Sequence, residues 1–478
     1  MQLMTIPHVE LAPIESVSPG MLRRVVDWER YRALSASIVH ARHLLRGRIV
    51  WNISTTARGG GVAEMLRSTG AYISGAGIDS RWLVVHGNGD CFRIGKRIHN
   101  QLQGFEGDGG ELGARAHEKY ARCLAPVAVE LISIVRPGDL VVLHGPQTAG
   151  LIPELRNTGA NIIWRCHVDV GRLNKRAQKA CAFLMRYIGG ADAYVFPRPN
   201  AAWKDLPQAR IAIIPPAIDP LSTKNNLMSR AQAAAVLISG GIMSGYSAAI
   251  PYFVRPSGTM GLVSRRAELV QLEPVLPRTR LVLQVSRWDR LKDPVGVIQG
   301  FATLVPPQSQ AHLVLAGPEV TAVADDPEAV DVFDRTVVAW ESLPEPARRR
   351  VHLVCLSMRD CDESAAVVNA LQRWAEVVVQ KSLAEGFGLA VGEAMWKARP
   401  VVASRVGGVQ DQIEHGRSGF LLDDPTDLDA FARAVTDLLD HPESAQRIGL
   451  AAVQRIADHF FIDRHLRQYA DLVSRLFA

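Results

Sequence analysis

Two glutamates, Glu385 and Glu393, stand eight positions apart in the stretch Gln380 to Gly408, which reads QKSLAEGFGLAVGEAMWKARPVVASRVGG. Its hydropathy pattern predicts a strand, a loop carrying Glu385-Gly386-Phe387-Gly388, a helix and a second strand. Gly386 and Gly388 permit close backbone approach, and the N–H groups of the helix's first turn, with the helix dipole behind them, suit a phosphate or a sugar hydroxyl. An ionised carboxylate is an acceptor-only group, so Glu385 in the loop and Glu393 about one turn into the helix are matched to vicinal hydroxyls of a sugar and a ribose. The plainer alternative is a pair of exposed helix charges. A second glycine loop, Gly59-Gly60-Gly61, follows the predicted strand Arg48–Asn52 and precedes a helix beginning near Val62. Three consecutive glycines exceed what a tight turn requires, which favours a ligand role there.

These loops need a scaffold of alternating strands and helices. Short apolar runs bounded by Gly, Pro or Asp alternate with helical periodicity, the signature of β-α units and parallel sheets. Arg48–Asn52, Arg81–His86, Leu140–His144, Asn161–His167, Ala193–Phe196 and Ile211–Ile214 read as one sheet. Leu281–Val285, His312–Ala316, Val351–Cys355, Val377–Gln380, Val401–Ala403 and Gly419–Leu422 read as a second. The fold class expected is α/β, with two doubly wound domains facing across a cleft, because ligands of open α/β sheets bind at the carboxyl ends of strands. The expected boundaries are 1–221, an N-terminal domain; 222–279, a linker with an inserted loop; 280–460, a C-terminal domain; and 461–478, a last helix able to pack on either domain.

The chain has 478 residues, 47% hydrophobic and 21% charged, which excludes a disordered or low-complexity protein. A net charge of +6 permits anionic ligands without requiring nucleic acid, and Arg348-Arg349-Arg350 reads as a solvated helix face. Six cysteines without paired spacing predict reduced thiols. Acidic residues among the first 30 positions exclude a signal-peptide pattern, so the cytoplasm is expected. Ala231 to Val254 carries no charge, but its Gly, Ser and Pro content argues against a membrane span.

EGFGLAVGEAMWKARPVVAS resembles the signature of retaining nucleotide-sugar glycosyltransferases of the GT-B fold. With it, WNISTTARGGGVAEML (Trp51–Leu66), HGPQTAGL (His144–Leu151), WRCHVDV (Trp164–Val170), IPPAIDPLSTKN (Ile214–Asn225), QVSRWDRLKDP (Gln284–Pro294) and VADDPE (Val323–Glu328) resemble the trehalose synthase and trehalose phosphorylase branch. The resemblance implies that Arg287 and Lys292 bind the diphosphate of a nucleoside diphosphate glucose and stabilise it as it leaves. It implies that Glu393 accepts from the ribose and that Glu385 contacts the hexose while favouring positive charge at the anomeric carbon. Gly386, Phe387 and Gly388 would present backbone N–H groups, with Leu389, Gly60, Gly61 and His167 also on the donor side. Asp169, Lys96, His99 and Asn100 would line the acceptor pocket.

The activity so implied is transfer of glucose to glucose, giving α,α-trehalose with retention. The alternatives are a trehalose phosphorylase, in which inorganic phosphate occupies the diphosphate position, and a non-catalytic nucleotide-sugar-binding protein. A covalent role for Glu385, by analogy with retaining glycosidases, is disfavoured against same-face departure and attack. No cofactor or metal is expected, since Asp325-Asp326 fits the branch motif rather than a metal site. The partners expected are the small-molecule substrates, without nucleic acid or membrane, and a homodimer is compatible with the sequence. One departure bears on the acceptor: the branch leads to Asp after His144, and Gly145 stands there.

Overall fold

The computed structural model describes residues 7–170, 173–322 and 326–477. These form two compact units, the first comprising 1–217, 324–327 and 462–478 and the second 218–323 and 328–461.

In the first unit the strands are β1 (His8–Ala12), β2 (Val50–Ser54), β3 (Ser80–His86), β4 (Leu140–His144), β5 (Asn161–Arg165), β6 (Ala193–Phe196) and β7 (Ile211–Ile213). They make one sheet in the order β1-β3-β2-β4-β5-β6-β7. All pairings are parallel except β1 with β3. β2 and β4 are buried along their whole length, as a parallel strand covered on both faces must be. Alternation sends Trp51, Ile53 and Leu143 into one core layer and Val50, Leu140 and Val142 into the other. Asp139 locks the entry to β4 by accepting from the Ile49 amide and the Trp51 indole, both at 2.9 Å. The last helix, Ile462–Phe477, lies in this unit, where Leu472 and Val473 join the second core layer. Its Asp463 is bound by Arg30 at 2.6 Å.

The second unit holds β8 (Tyr252–Val254), β9 (Met260–Leu262), β10 (Glu268–Val270), β11 (Arg280–Val285), β12 (Ala311–Pro318), β13 (Val351–Leu356), β14 (Val377–Gln380), β15 (Val401–Ser404) and β16 (Phe420–Leu422). Its sheet runs β10-β13-β12-β11-β14-β15-β16, again with one antiparallel edge, and β8 and β9 form a separate hairpin. The segment 222–279, expected as linker and loop, is therefore structured. Its uncharged stretch is a ten-residue helix, Arg230–Ser239, followed by turns and the hairpin, and β10 supplies the sheet edge. Arg255 fastens the hairpin by a bidentate pair with Asp360 at the start of helix Cys361–Trp374. That contact holds the Asp360 carboxyl at about 2, chiefly through the hydrogen bond from Arg255. No helix among the described residues is long and apolar enough to cross a membrane.

Two expectations about side chains are corrected. Arg350 is 8% exposed rather than solvated. Its guanidinium donates to the carbonyls of Val305 and Pro306, and its cation lies over the Phe301 ring. Cys91, in helix Gly89–Leu102, and Cys123, in helix Ala114–Ile134, are joined by a disulfide, so the reading of all cysteines as reduced does not hold. A bond between neighbouring helices leaves no CxxC-like spacing to detect. Thiol titration in denaturant should find the four free cysteines before reduction and all six after it. With 32 residues separating the pair, Cys91→Ser should lower the unfolding free energy by about 3–4 kcal/mol in a chain-entropy account, and an unchanged denaturation midpoint would contradict the bond.

Candidate functional site

Renumbered from its first parallel strand, the second sheet has the order 3-2-1-4-5-6, so its topological switch lies between β11 and β14. Successive connections leave in opposite directions there, which opens the crevice where α/β sheets bind ligands. The loop after β11 carries Arg287 and Lys292, and the loop after β14 carries Glu385. Lys292 Nζ reaches Glu385 Oε2 at 2.5 Å, with both side chains mostly buried. The Ser382 hydroxyl donates to the same oxygen at 3.3 Å. Arg287 lies 3.7 Å from Asp289, whose own carboxylate caps the short turn Arg290–Lys292.

The backbone around Lys292 is held tightly. The Gln284 amide donates to its carbonyl at 3.0 Å. The next residue, Asp293, takes a left-handed conformation (φ 49°) and caps helix Pro294–Leu304 by accepting from the Gly296 amide. The same carboxylate pairs with Lys381, which is fully buried and also donates to the Pro425 carbonyl at 2.6 Å. Asp293 and Lys381 were not singled out from the sequence; a charged residue immediately after an apolar strand was the available signal.

The loop Glu385–Gly388 is shaped by backbone contacts. Gly388 has φ 81° and caps helix Leu389–Trp396 without a side-chain bond. The amide of Gly408 donates to the Gly386 carbonyl at 3.0 Å, and a Cβ on Gly407 would fall 1.8 Å from the Glu385 carbonyl oxygen. The Gln412 side chain donates to the Phe387 carbonyl at 2.6 Å. Phe387 points its ring inward against Phe460, leaving only its backbone for a ligand. Glu393 is 4% exposed and lies 3.5 Å from Lys224. Lys224 stood in a recognised block without a role.

The first sheet, renumbered from β2, has the order 2-1-3-4-5-6, with its switch between β2 and β4. The Gly59–Gly61 loop follows β2, and Gly60 caps helix Gly61–Gly75 without a side-chain bond. A Cβ at Gly60 would meet nothing within 4 Å, so space lies beside this backbone. After β4, Gly145 takes φ 83°, and a side chain there would press on Gln147 Oε1 at 2.7 Å. That conformation explains a glycine where an aspartate was expected. His144 and His167 stack, with Nδ1 of His144 3.0 Å from Nε2 of His167. Desolvation, aided by the Arg165 charge, pushes both imidazoles well below the ordinary histidine range.

Asp169 is bound by Arg198 at 3.1 Å. Lys96, Ile98, Asn100 and Leu102 are buried on helix Gly89–Leu102, where Lys96 pairs with Asp326 at 3.0 Å. His99, next to Asn100, is near enough to depress His167. Asn100 is 2% exposed, packed against Gly107, and thus less open than expected of an acceptor-pocket residue. Asp325 lies outside the described residues. Among those described, no group of three or more His, Cys, Asp or Glu side chains is placed to hold a metal ion.

Residues 361–455 match the family described as "Glycosyl transferases group 1" and residues 52–202 match "Trehalose synthase, N-terminal domain". A UDP-forming α,α-trehalose-phosphate synthase from Burkholderia vietnamiensis superposes with a TM-score of 0.65 at 15% identity, over 90% of this chain and 100% of that one. The two switch-point sheets and these matches define the class: a GT-B glycosyltransferase, and within it a hexosyltransferase. The chain is 32% identical to the trehalose synthase of Rubrobacter xylanophilus over 97% of its length and 99% of that protein's. It is 24% identical to the trehalose phosphorylase of Pleurotus sajor-caju, over 88% of its length and 58% of that protein's. The chain belongs to the trehalose synthase family.

Gly407→Ala tests the loop geometry. The new methyl must displace the Glu385 carbonyl, and misplacement by about 1 Å can cost about 10²-fold in kcat/KM; a folded variant with wild-type kinetics would show that the Glu385–Gly388 backbone has no part in turnover.

Proposed function

We propose that this protein transfers glucose from a nucleoside diphosphate glucose to the anomeric hydroxyl of glucose, forming α,α-trehalose with retention. The observation that carries the reading is the pairing of Lys292 with Glu385 at the switch of the second sheet, on the loop that also carries Arg287. A departing diphosphate gains negative charge as the glycosidic bond breaks. Fixed cations in a largely buried loop therefore favour the transition state over the ground state. Glu385 faces that chemistry with one carboxylate oxygen already engaged by Lys292 and Ser382. Same-face departure and attack, with the leaving phosphate accepting the acceptor's proton, is the mechanism that goes with this reading. Glu393 serves the ribose, and its neighbour Lys224 balances its charge.

In the first unit, Gly60 and Gly61 present backbone to the substrate, His167 meets the transferred sugar, and Asp169, Lys96 and His99 serve the acceptor. The proposed activity uses no cofactor, metal, nucleic acid or membrane. The second reading is phosphorolysis of trehalose, favoured by the match to a trehalose phosphorylase. There the same two cations would bind inorganic phosphate.

Product analysis separates the two. Incubation with glucose and ADP-, UDP- or GDP-glucose should yield trehalose with at least one donor, whereas trehalose plus phosphate yielding glucose 1-phosphate would favour phosphorolysis. Arg287→Ala and Lys292→Ala should each reduce turnover by about 10²-fold or more; near-normal rates in both would overturn the assignment of the two cations.

A further inference from the structure

We propose that Asn52 and His144 are positioning residues that hold His167 in the tautomer whose Nδ1 is a bare acceptor for a substrate hydroxyl. This inference rests on the reading that His167 meets the transferred sugar. The three side chains come from three adjacent strands or their ends. Asn52 lies on β2, His144 closes β4, and His167 stands two residues beyond β5. Register places Asn52 opposite Val142 and His144 opposite Arg165. His144 Nε2 lies 3.1 Å from Asn52 Oδ1, and His144 Nδ1 lies 3.0 Å from His167 Nε2.

A carbonyl oxygen only accepts, so His144 must donate through Nε2. Desolvation first, and then the Arg165 charge, disfavours a proton on either ring, with His144, His465 and His99 adding to this at His167, so each ring is neutral and carries one N–H. With its hydrogen on Nε2, His144 offers a bare Nδ1. His167 must then donate through its own Nε2, which leaves its Nδ1 without a hydrogen. The direction of the whole chain follows from one amide oxygen.

Asn52 is 9% and His144 4% exposed, and both border a small cavity of about 80 Å³ lined otherwise mainly by aliphatic side chains such as Leu45, Leu66 and Val142. With Asn52 Oδ1 toward His144, a reversed chain would set an acceptor against an acceptor unless the amide turned over to present its NH2. The consequence is selectivity. A hydroxyl can donate to His167 Nδ1, whereas a phosphoryl or carbonyl oxygen at the same point is repelled.

Long-range proton–nitrogen correlation spectra of the full chain, labelled with ¹⁵N-histidine and recorded without substrate at neutral pH, test this directly. Signals are assigned by their loss in His144→Asn and His167→Asn. The expected result is a neutral Nε2–H tautomer for both residues. A His167 in the Nδ1–H form, or an imidazolium at either position, would overturn the proposal in the unaltered protein. Asn52→Leu should shift His167 toward a tautomer mixture and raise the donor KM about tenfold, with a smaller change in kcat; a raised KM with the tautomer unchanged would also overturn it. Because the spectra need no turnover, failure of the tautomer assignment and failure of the transfer reaction are separate results.

Discussion

The ion pair between Lys292 and Glu385 joins the two loops that flank the switch of the second sheet, and the local architecture is organised around it. β11 and β14 are hydrogen-bonded neighbours whose following helices leave toward opposite faces, so nothing in the sheet itself ties their loops together. The salt bridge does so, together with the Lys381–Asp293 pair and the Leu383 amide, which donates to the Leu291 carbonyl at 2.8 Å. A mostly buried pair is costly to desolvate and is sustained only by good geometry and further hydrogen bonds. Those are present: Ser382 on the carboxylate, Gln284 on the Lys292 carbonyl, and the Asp293–Lys381 pair beneath. Asp293 adopts an unfavourable left-handed backbone before Pro294, and two interactions of its side chain, with the Gly296 amide that caps the helix and with Lys381, offset that strain.

In the proposed reaction the two units meet related demands at their sheet switches with different electrostatics. The second uses full charges: Arg287, Lys292, Lys224 and the carboxylates that balance them. The first uses neutral imidazoles at its own switch, kept uncharged by burial and by the fixed charge of Arg165. Arg165 is itself buried, donating to Tyr469 and to the Ile214 carbonyl. A charged leaving group calls for cations, while sugar hydroxyls are better read by groups whose donor and acceptor roles are set. This division fits the proposed reaction, in which charge develops on the diphosphate and the hexose stays a pattern of hydroxyls.

Much of this was legible in the residues. Runs such as Leu140–His144 and Val377–Gln380 are apolar because both faces of a central parallel strand are covered, and such runs identify themselves. The antiparallel edge strands lacked that signal. β1 carries an exposed Glu10, and β10 is three residues long; each joins its sheet by antiparallel backbone pairing that asks little of its side chains. The partners of charged groups were illegible for a related reason. Lys224 lies 169 positions before Glu393, and Asp326 is far from Lys96 in sequence, so only the folded backbone reveals those pairs. The same holds for Cys91 with Cys123.

The glycines show why one part of the site was readable and another was not. Gly386 and Gly388 announced a close-approach loop, but Gly407 and Gly408 explain its shape, since they let the strand-to-helix turn after β15 pack directly on the Glu385–Gly388 backbone. Two loops that each need small residues have thus become one rigid surface, with Gln412 donating into it from behind. Gly145 follows the same logic with a different outcome. Its positive φ favours glycine over the aspartate that the resemblance led to, while its carbonyl accepts from the Trp164 indole at 3.0 Å. A carboxylate absent from this point must be replaced by other polar groups if the acceptor is glucose. Asp169, held by Arg198 beyond the end of the neighbouring strand, is the acidic side chain that the proposed reading assigns to the acceptor.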